Sequence, residues 1–201
     1  METIPVTVAI TTMPHRKELL DRAIASVKAQ TVQPEKIEIG MDSERLGSAH
    51  NRHNLLQRIE TEWVAFLDDD DEFMPHHLET LWNGREDGDL IYAWYEVVGG
   101  TDPWETHFNR GYRPGYTTTI TVLVRTELAK QVGFLRGEAT ERPALEAAIE
   151  RRKNKVGGRK SSGDDHFFSR GIHRAGGKVI HIPERTWKWY HHGKNTGGLP
   201  I

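Results

Sequence analysis

The sequence predicts an α/β fold in a single domain, with a mainly parallel central sheet and helices on both faces. Three observations lead there. β-rich apolar runs alternate with segments of helical apolar spacing, which is the pattern of strands joined by crossover helices. Each of the first three runs stops in polar residues, as at Thr11-Thr12, Asp42-Ser43 and Asp68 to Asp71. The chain has 201 residues of which 36% are hydrophobic, enough to fill one core.

The elements follow in chain order. Val6, Val8, Ala9 and Ile10 form a first strand ending at Thr11-Thr12, and Leu19, Leu20, Ala23, Ile24 and Val27 recur with the spacing of one helical face. A second strand is expected from Lys36 to Met41, a helix from about Ser48 to Ile59, and a third strand from Trp63 to Leu67. A short helix near Pro75 follows the aspartates. Leu90 to Val98 and Thr117 to Arg125 read as further strands, and Glu127 to Gln131 as a short helix closed by Gly133. The segment from Glu138 to Ser162 is polar and carries six Lys/Arg between Arg151 and Lys160, so it reads as a mobile loop with a helical start at Pro143 to Arg152. Asp164 and Asp165 open a last helix whose apolar face is Phe167, Phe168 and Ile172. There is no internal repeat and no clear domain linker.

Composition excludes several classes. With 27 basic against 29 acidic residues, no global charge marks a nucleic-acid or membrane-surface binder. The chain has no cysteine, which removes disulfides, thiolate catalysis and sulfur-ligated zinc, and fits a reducing cytoplasm. Its first apolar run is short and interrupted by Pro5 and threonines, so it reads as a buried strand and not as a signal peptide. No stretch reaches the ~20 apolar residues that span a bilayer, so no membrane insertion is expected.

Two constellations carry chemistry. In WVAFLDDDDEFMPHHLE, residues 63 to 79, a buried strand runs straight into four carboxylates, where like charge and desolvation are costly. A hard divalent cation such as Mg²⁺ or Mn²⁺ offsets both and brings a diphosphate to the same place. The alternative is an acidic turn favouring the N-terminus of the helix behind it. In SSGDDHFFSRGIHRAGG, residues 161 to 177, Asp164 and Asp165 occupy the first turn of a helix, as a cap or as a catalytic pair. A third segment, TWKWYHHGKNTGG at 186 to 198, offers one of two adjacent histidines to the acidic cluster. If the segment is extended His191 and His192 point apart, so only one reaches a given point. Trp187, Trp189 and Tyr190 either close over a ligand or pack in the core.

Across nearly its whole length the chain resembles glycosyltransferase family 2, enzymes of the GT-A fold. VAITTMPHRKELLDRAIASVKAQT resembles the family's first strand and helix, with Ser26, Gln30 and Thr31 in the Ser-x-x-x-Gln-Thr ending. LGSAHNRHNLLQRIETEWVAFLDDDD resembles the stretch in which a Gly and an Arg-Asn pair precede the aspartates, with Arg52 in place and His53 where Asn is usual. Asp42-Ser43 matches part of an Asp-x-x-Ser turn. The resemblance implies a nucleotide pocket of Thr11, Thr12, Arg16, Asp42 and Arg52, with Asp68 near the ribose and Asp70 on the cation. Asp69 and Asp71 are the reserve ligands. It implies Asp165 as general base with Asp164 beside it, and His192 or His191 completing the cation's coordination. Lys194 belongs to a tail expected to order on a diphosphate.

The reading is therefore an inverting, Mn²⁺- or Mg²⁺-dependent transferase moving sugar from a nucleotide-diphosphate donor, a UDP-sugar favoured, to an acceptor hydroxyl. Residues 1–98 are expected to hold the nucleotide and 99–201 the acceptor, with the 138–162 loop and the tail mobile. Protein, glycan, small metabolite and modified DNA base are all open as acceptor. The size and the basic loop are compatible with a virus-encoded enzyme working in the host cytoplasm. The rivals are a catalytically silent nucleotide-sugar or carbohydrate-binding module and a sugar-phosphate nucleotidyltransferase, although TTMPHRKE lacks the Gly-rich loop of the latter.

Overall fold

The computed structural model describes residues 2–102, 105, 108, 120–135 and 164–191, apart from the side chains of Asp164 and His166. The polar loop of 138–162, its helical start, and the tail from residue 192 onward, including His192 and Lys194, lie outside the described residues. The elements are β1 (Thr3–Thr12), α1 (Lys17–Lys28), β2 (Gln33–Met41), α2 (Ser48–Gln57), β3 (Trp63–Asp68), β4 (Glu72–Phe73), α3 (His77–Asn83), β5 (Leu90–Val98), β6 (Leu123–Arg125), α4 (Thr126–Val132), α5 (Asp164–Arg174) and β7 (Val179–Tyr190). A 3-10 turn, Arg85–Asp87, links α3 to β5.

One seven-stranded sheet runs β2-β1-β3-β6-β5-β7-β4. β1 pairs in parallel with β2 and β3, as the alternating strands and helices of the first half require. The second half is mixed. β6 enters antiparallel between β3 and β5, β5 pairs in parallel with β7, and β4 lies antiparallel on β7. The reversal at β6 explains why the parallel character is confined to the first half and to β5–β7. Nearly every residue of β1 from Val6 onward and of β3 from Trp63 to Leu67 is buried without alternation. Such continuous burial means that both faces of these strands are covered.

Register brings the strand ends together. Thr11 pairs with Gly40 on one side and Asp68 on the other, and Thr12 pairs with Met41. Asn51 of α2 ties the ends further, its Nδ2 donating to the carbonyls of Gly40 at 2.7 Å and Thr12 at 3.4 Å. Gly40 leaves room for it, because a Cβ there would stand 2.7 Å from Asn51 Oδ1.

The core under α5 is aromatic. Phe168 stacks on Phe134 at 4.3 Å and meets Phe66 of β3 edge-on at 6.0 Å, and Phe66 meets Phe134 edge-on at 5.3 Å. This trio docks the helix carrying Asp165 against the strand carrying Asp68. The late tryptophans go to packing, with Trp187 fully buried and Trp189 8% exposed, both edge-on to Tyr95. Among the described residues no helix is long and apolar enough to cross a membrane.

Candidate active site

The site forms where β3 runs out into the acidic turn. The Ser-x-x-x-Gln-Thr ending of α1 fastens that turn from behind. Ser26 Oγ accepts the N–H of Phe73 at 3.1 Å, and Gln30 spans the next residues, donating to the Met74 carbonyl at 2.7 Å and accepting the Leu78 N–H at 2.8 Å. Thr31 adds a hydrogen bond from its hydroxyl to Glu79 at 2.7 Å and from its N–H to the Pro75 carbonyl at 2.8 Å. The three motif residues thus satisfy backbone groups that would otherwise be unpaired between the aspartates and α3.

Within the turn the four carboxylates part company. Asp69 is buried and turned towards β1, accepting from the Thr12 hydroxyl at 2.6 Å with Arg16 at 3.1 Å. Burial pushes its carboxyl up to about 6, helped by Asp70 and Asp68 and opposed by Thr12 and Arg16. Asp68, Asp70 and Asp71 face one another instead, each offering an oxygen within 4.8 Å of the others. Burial, and then the charges of Asp70 and Asp68, hold the Asp71 carboxyl well above the ordinary range. Three hard oxygen donors at this spacing fit Mg²⁺ or Mn²⁺, and a divalent ion among them would relieve the repulsion that raises Asp71. Asp71 therefore belongs to the candidate ligand group itself.

Two arginines, one at the start of α1 and one on α2, meet the turn. Arg16, at the start of α1, holds Asp70 Oδ2 at 2.6 Å. Arg52 of α2 is 5% exposed and bridges two carboxylates, Asp68 at 2.5 Å and Asp165 at 3.1 Å. Residues 113 positions apart in sequence are joined by the second contact. Arg52 thus brings Asp165, in the first turn of α5, to the same place as the end of β3.

Asp42 has a different setting. Both its oxygens accept backbone N–H groups, from Leu46 at 2.7 Å and Gly47 at 2.8 Å. It shapes the loop into α2, in which Gly47 takes a φ of 98° that side chains other than hydrogen strain to adopt. Thr11 lies buried at the strand end beside it. His191 donates its N–H to the Val98 carbonyl at 2.9 Å, and its ring stands edge-on to Trp189 at 5.6 Å. Among the described residues His191 is not part of the acidic ligand group, whose members are Asp68, Asp70 and Asp71.

The architecture is an α/β sheet with a carboxylate cluster beyond the carboxyl end of β3. The sequence profile described as Glycosyl transferase family 2 matches residues 20–137, more than half of the chain, and the chain belongs to that family. No curated protein matches it in sequence. Among solved structures it is similar to Staphylococcus aureus TarS 1-349 in complex with UDP-GlcNAc, with a TM-score of 0.70 and 14% identity over 100% of this chain and 62% of that one. It is also similar to TarS 1-349 in complex with UDP, with a TM-score of 0.67 and 15% identity over 95% of this chain and 61% of that one. A further structure of TarS 1-349 gives a TM-score of 0.67 and 15% identity over 94% of this chain and 60% of that one. At these identities the likeness shows the fold, and the chain spans about three fifths of the length of these TarS 1-349 structures.

Proposed function

We propose that the chain is an inverting, metal-dependent glycosyltransferase that moves a sugar from a nucleotide-diphosphate donor, a UDP-sugar favoured, to an acceptor hydroxyl. The observation that carries this reading is the meeting of two acidic groups at one buried arginine: the Asp68, Asp70 and Asp71 group at the end of β3, and Asp165 at the start of α5. Direct displacement needs one device to hold the leaving group and another to take the acceptor proton, and this geometry supplies a candidate for each. The two TarS complexes, one with UDP and one with UDP-GlcNAc, support the choice of donor.

In this reading residues 1–98 hold the nucleotide and 99–201 the acceptor, in one domain. Thr11, Thr12, Arg16, Asp42, Arg52 and Asp69 surround the nucleotide, with Asp42 serving through the lone pairs its two backbone bonds leave over. Asp68, Asp70 and Asp71 would hold the cation, with His192 or His191 completing its coordination and Lys194 on the diphosphate. Bound there, Mn²⁺ or Mg²⁺ supplies charge neutralisation to the departing diphosphate. Asp165 accepts the acceptor hydroxyl's proton as that oxygen bonds to the anomeric carbon. The bond from that carbon to the diphosphate oxygen breaks, and its electron pair leaves with the nucleotide. Arg52 holds Asp165 facing the reaction, and Asp164 opens the same helix turn.

The test is transfer and donor hydrolysis across a panel of UDP-sugars, with and without Mn²⁺. Asp70→Ala should abolish the Mn²⁺ dependence of UDP binding. Asp165→Asn should keep UDP affinity and lose transfer by roughly 10²-fold or more. Donor binding with no turnover on any donor would make the chain a binding module, and unchanged Mn²⁺ dependence in Asp70→Ala would remove the metal assignment.

A further inference from the structure

We propose that Arg22 and Tyr190 are positioning residues for the cation site, fixing the acidic turn from outside it; the inference rests on the metal-dependent reading above. Both residues grip the part of the turn that repulsion would open.

Arg22 projects from the middle of α1. Its Nη2 donates to the backbone carbonyl of Asp70 at 2.8 Å, and its Nε lies 2.8 Å from Glu72 Oε1. Its guanidinium stands 4.0 Å over the ring of Tyr190, the last residue of β7. Tyr190 closes the circuit. Its hydroxyl donates to the same Glu72 oxygen at 2.8 Å, and its backbone N–H donates to Asp71 Oδ1 at 3.1 Å. The pairing of β4 with β7, Glu72 with Lys188 and Phe73 with Trp187, holds the other side of this frame.

The consequence is physical. Asp68, Asp70 and Asp71 repel one another, so a free turn would spread them and any cation would have to spend binding free energy gathering them. Arg22 fixes the Asp70 backbone, and the Tyr190 N–H fixes one Asp71 oxygen. An arginine is needed because its planar fork meets a carbonyl, a carboxylate and a ring at once, which an ammonium cannot. Residues that orient metal ligands without touching the metal typically account for 10- to 100-fold in metal affinity. Tyr190 also sets where the chain leaves β7 towards His191, so one frame serves the acidic turn and the start of the tail.

The experiment is a Mn²⁺ titration followed by electron paramagnetic resonance of the free ion, with and without UDP. Thermal unfolding and transfer rate against Mn²⁺ concentration are measured in parallel. Tyr190→Phe keeps the ring and the N–H on Asp71 and loses only the hydroxyl on the Glu72 oxygen that also holds Arg22, so it should weaken Mn²⁺ by no more than about 10-fold and by less than Arg22→Lys. Arg22→Lys should weaken it by about 10- to 100-fold. Both should recover most of the wild-type rate at saturating Mn²⁺. Variants that bind Mn²⁺ like wild type while losing stability or rate at every Mn²⁺ concentration would overturn the proposal alone. A wild-type protein that binds no Mn²⁺, with or without UDP, would overturn the metal reading and this inference with it. Should Arg22→Lys fail to fold, Arg22→Gln, which keeps a donor for the Asp70 carbonyl and loses the contact with Glu72 and the Tyr190 ring, takes its place in the same titration.

Discussion

Phe168→Ala separates the docking of α5 from the binding of nucleotide. Phe168 is 1% exposed, stacked on Phe134 at 4.3 Å and edge-on to Phe66 at 6.0 Å. Burying a phenylalanine side chain is worth roughly 1.5 to 3 kcal/mol. Each aromatic pair adds about 0.5 to 1.5 kcal/mol, so the two pairs bring the loss to roughly 2.5 to 6 kcal/mol, which brackets the usual ~3 to 5 for Phe→Ala in a core. Stabilities of folded domains are about 5 to 15 kcal/mol, so the variant should fold but unfold at a markedly lower urea concentration. The functional consequence is selective. Phe168 sits one helical turn after Asp165, whereas the residues assigned to the nucleotide lie on β1, on β3's end and around α2. UDP affinity should therefore change little while the transfer rate at saturating donor falls. A stability loss below about 1 kcal/mol would mean the trio does not dock α5. A loss of UDP affinity as large as the loss of rate would refute the division of labour.

Further outcomes follow from other contacts. His77 is fully buried and stacked on Phe73, and burial holds its imidazole down at about 3. The unfolded chain then binds a proton below pH ~6.5 that the folded chain refuses, so stability falls by about 1.4 kcal/mol for each pH unit below that, until about pH 3; His77→Gln should flatten this slope in urea melts at pH 7 and pH 5. At Gly171 a Cβ would stand 2.3 Å from Val132 Cγ1, where α5 crosses α4. Gly171→Ala should cost about 1 to 3 kcal/mol by overpacking, measured by the same melts. Arg16 holds Asp70 Oδ2 at 2.6 Å, which places it in competition with a cation for that oxygen. Arg16→Ala should tighten Mn²⁺ in the absence of nucleotide and weaken UDP in its presence, and calorimetric titration would show both.

Much of the first half was legible because its signals are local. The spacing of Leu20, Ala23, Ile24 and Val27 is a helix face whatever lies around it, and α1 follows it. The strand expected from Lys36 begins three residues earlier at Gln33, and the helix expected to reach Ile59 ends at Gln57. The second half depends on distant partners. β4 has two residues and exists only because β7 pairs with it. β7 contains Pro183 and charged residues that break any alternation, so its twelve residues do not announce a strand. The strand expected from Thr117 is β6 over Leu123–Arg125 among the described residues, and 117–119 lie outside them.

The site divides the same way. Four aspartates after a buried strand are visible as a problem of charge, and the structure sets three of them facing one another. Which three could not be read, because Asp69 is drawn aside by Thr12, a residue 57 positions away. Arg22 carries no motif, and Tyr190 read only as closing over a ligand or packing in the core. Their role exists only in contacts between α1, the turn and the last strand. Asp42 matched a pattern, yet its backbone partners, Leu46 and Gly47, show that the residue also builds the loop it stands in.

The alignment of Thr11 with both Gly40 and Asp68 bears on how such a site can vary over time. Side chains alternate along a strand, so one residue added to or lost from β3 would turn Asp68 to the opposite face of the sheet and displace the turn that carries the other aspartates. Asp68 would then leave the group it forms with Asp70 and Asp71. Substitution within the turn changes one group at a time and leaves the others in place. The strand therefore acts as a ruler: the acidic turn can drift in composition, while the number of residues between Trp63 and Asp68 is held by geometry. Length variation should accumulate instead in connections that set no register, outside β1, β2 and β3.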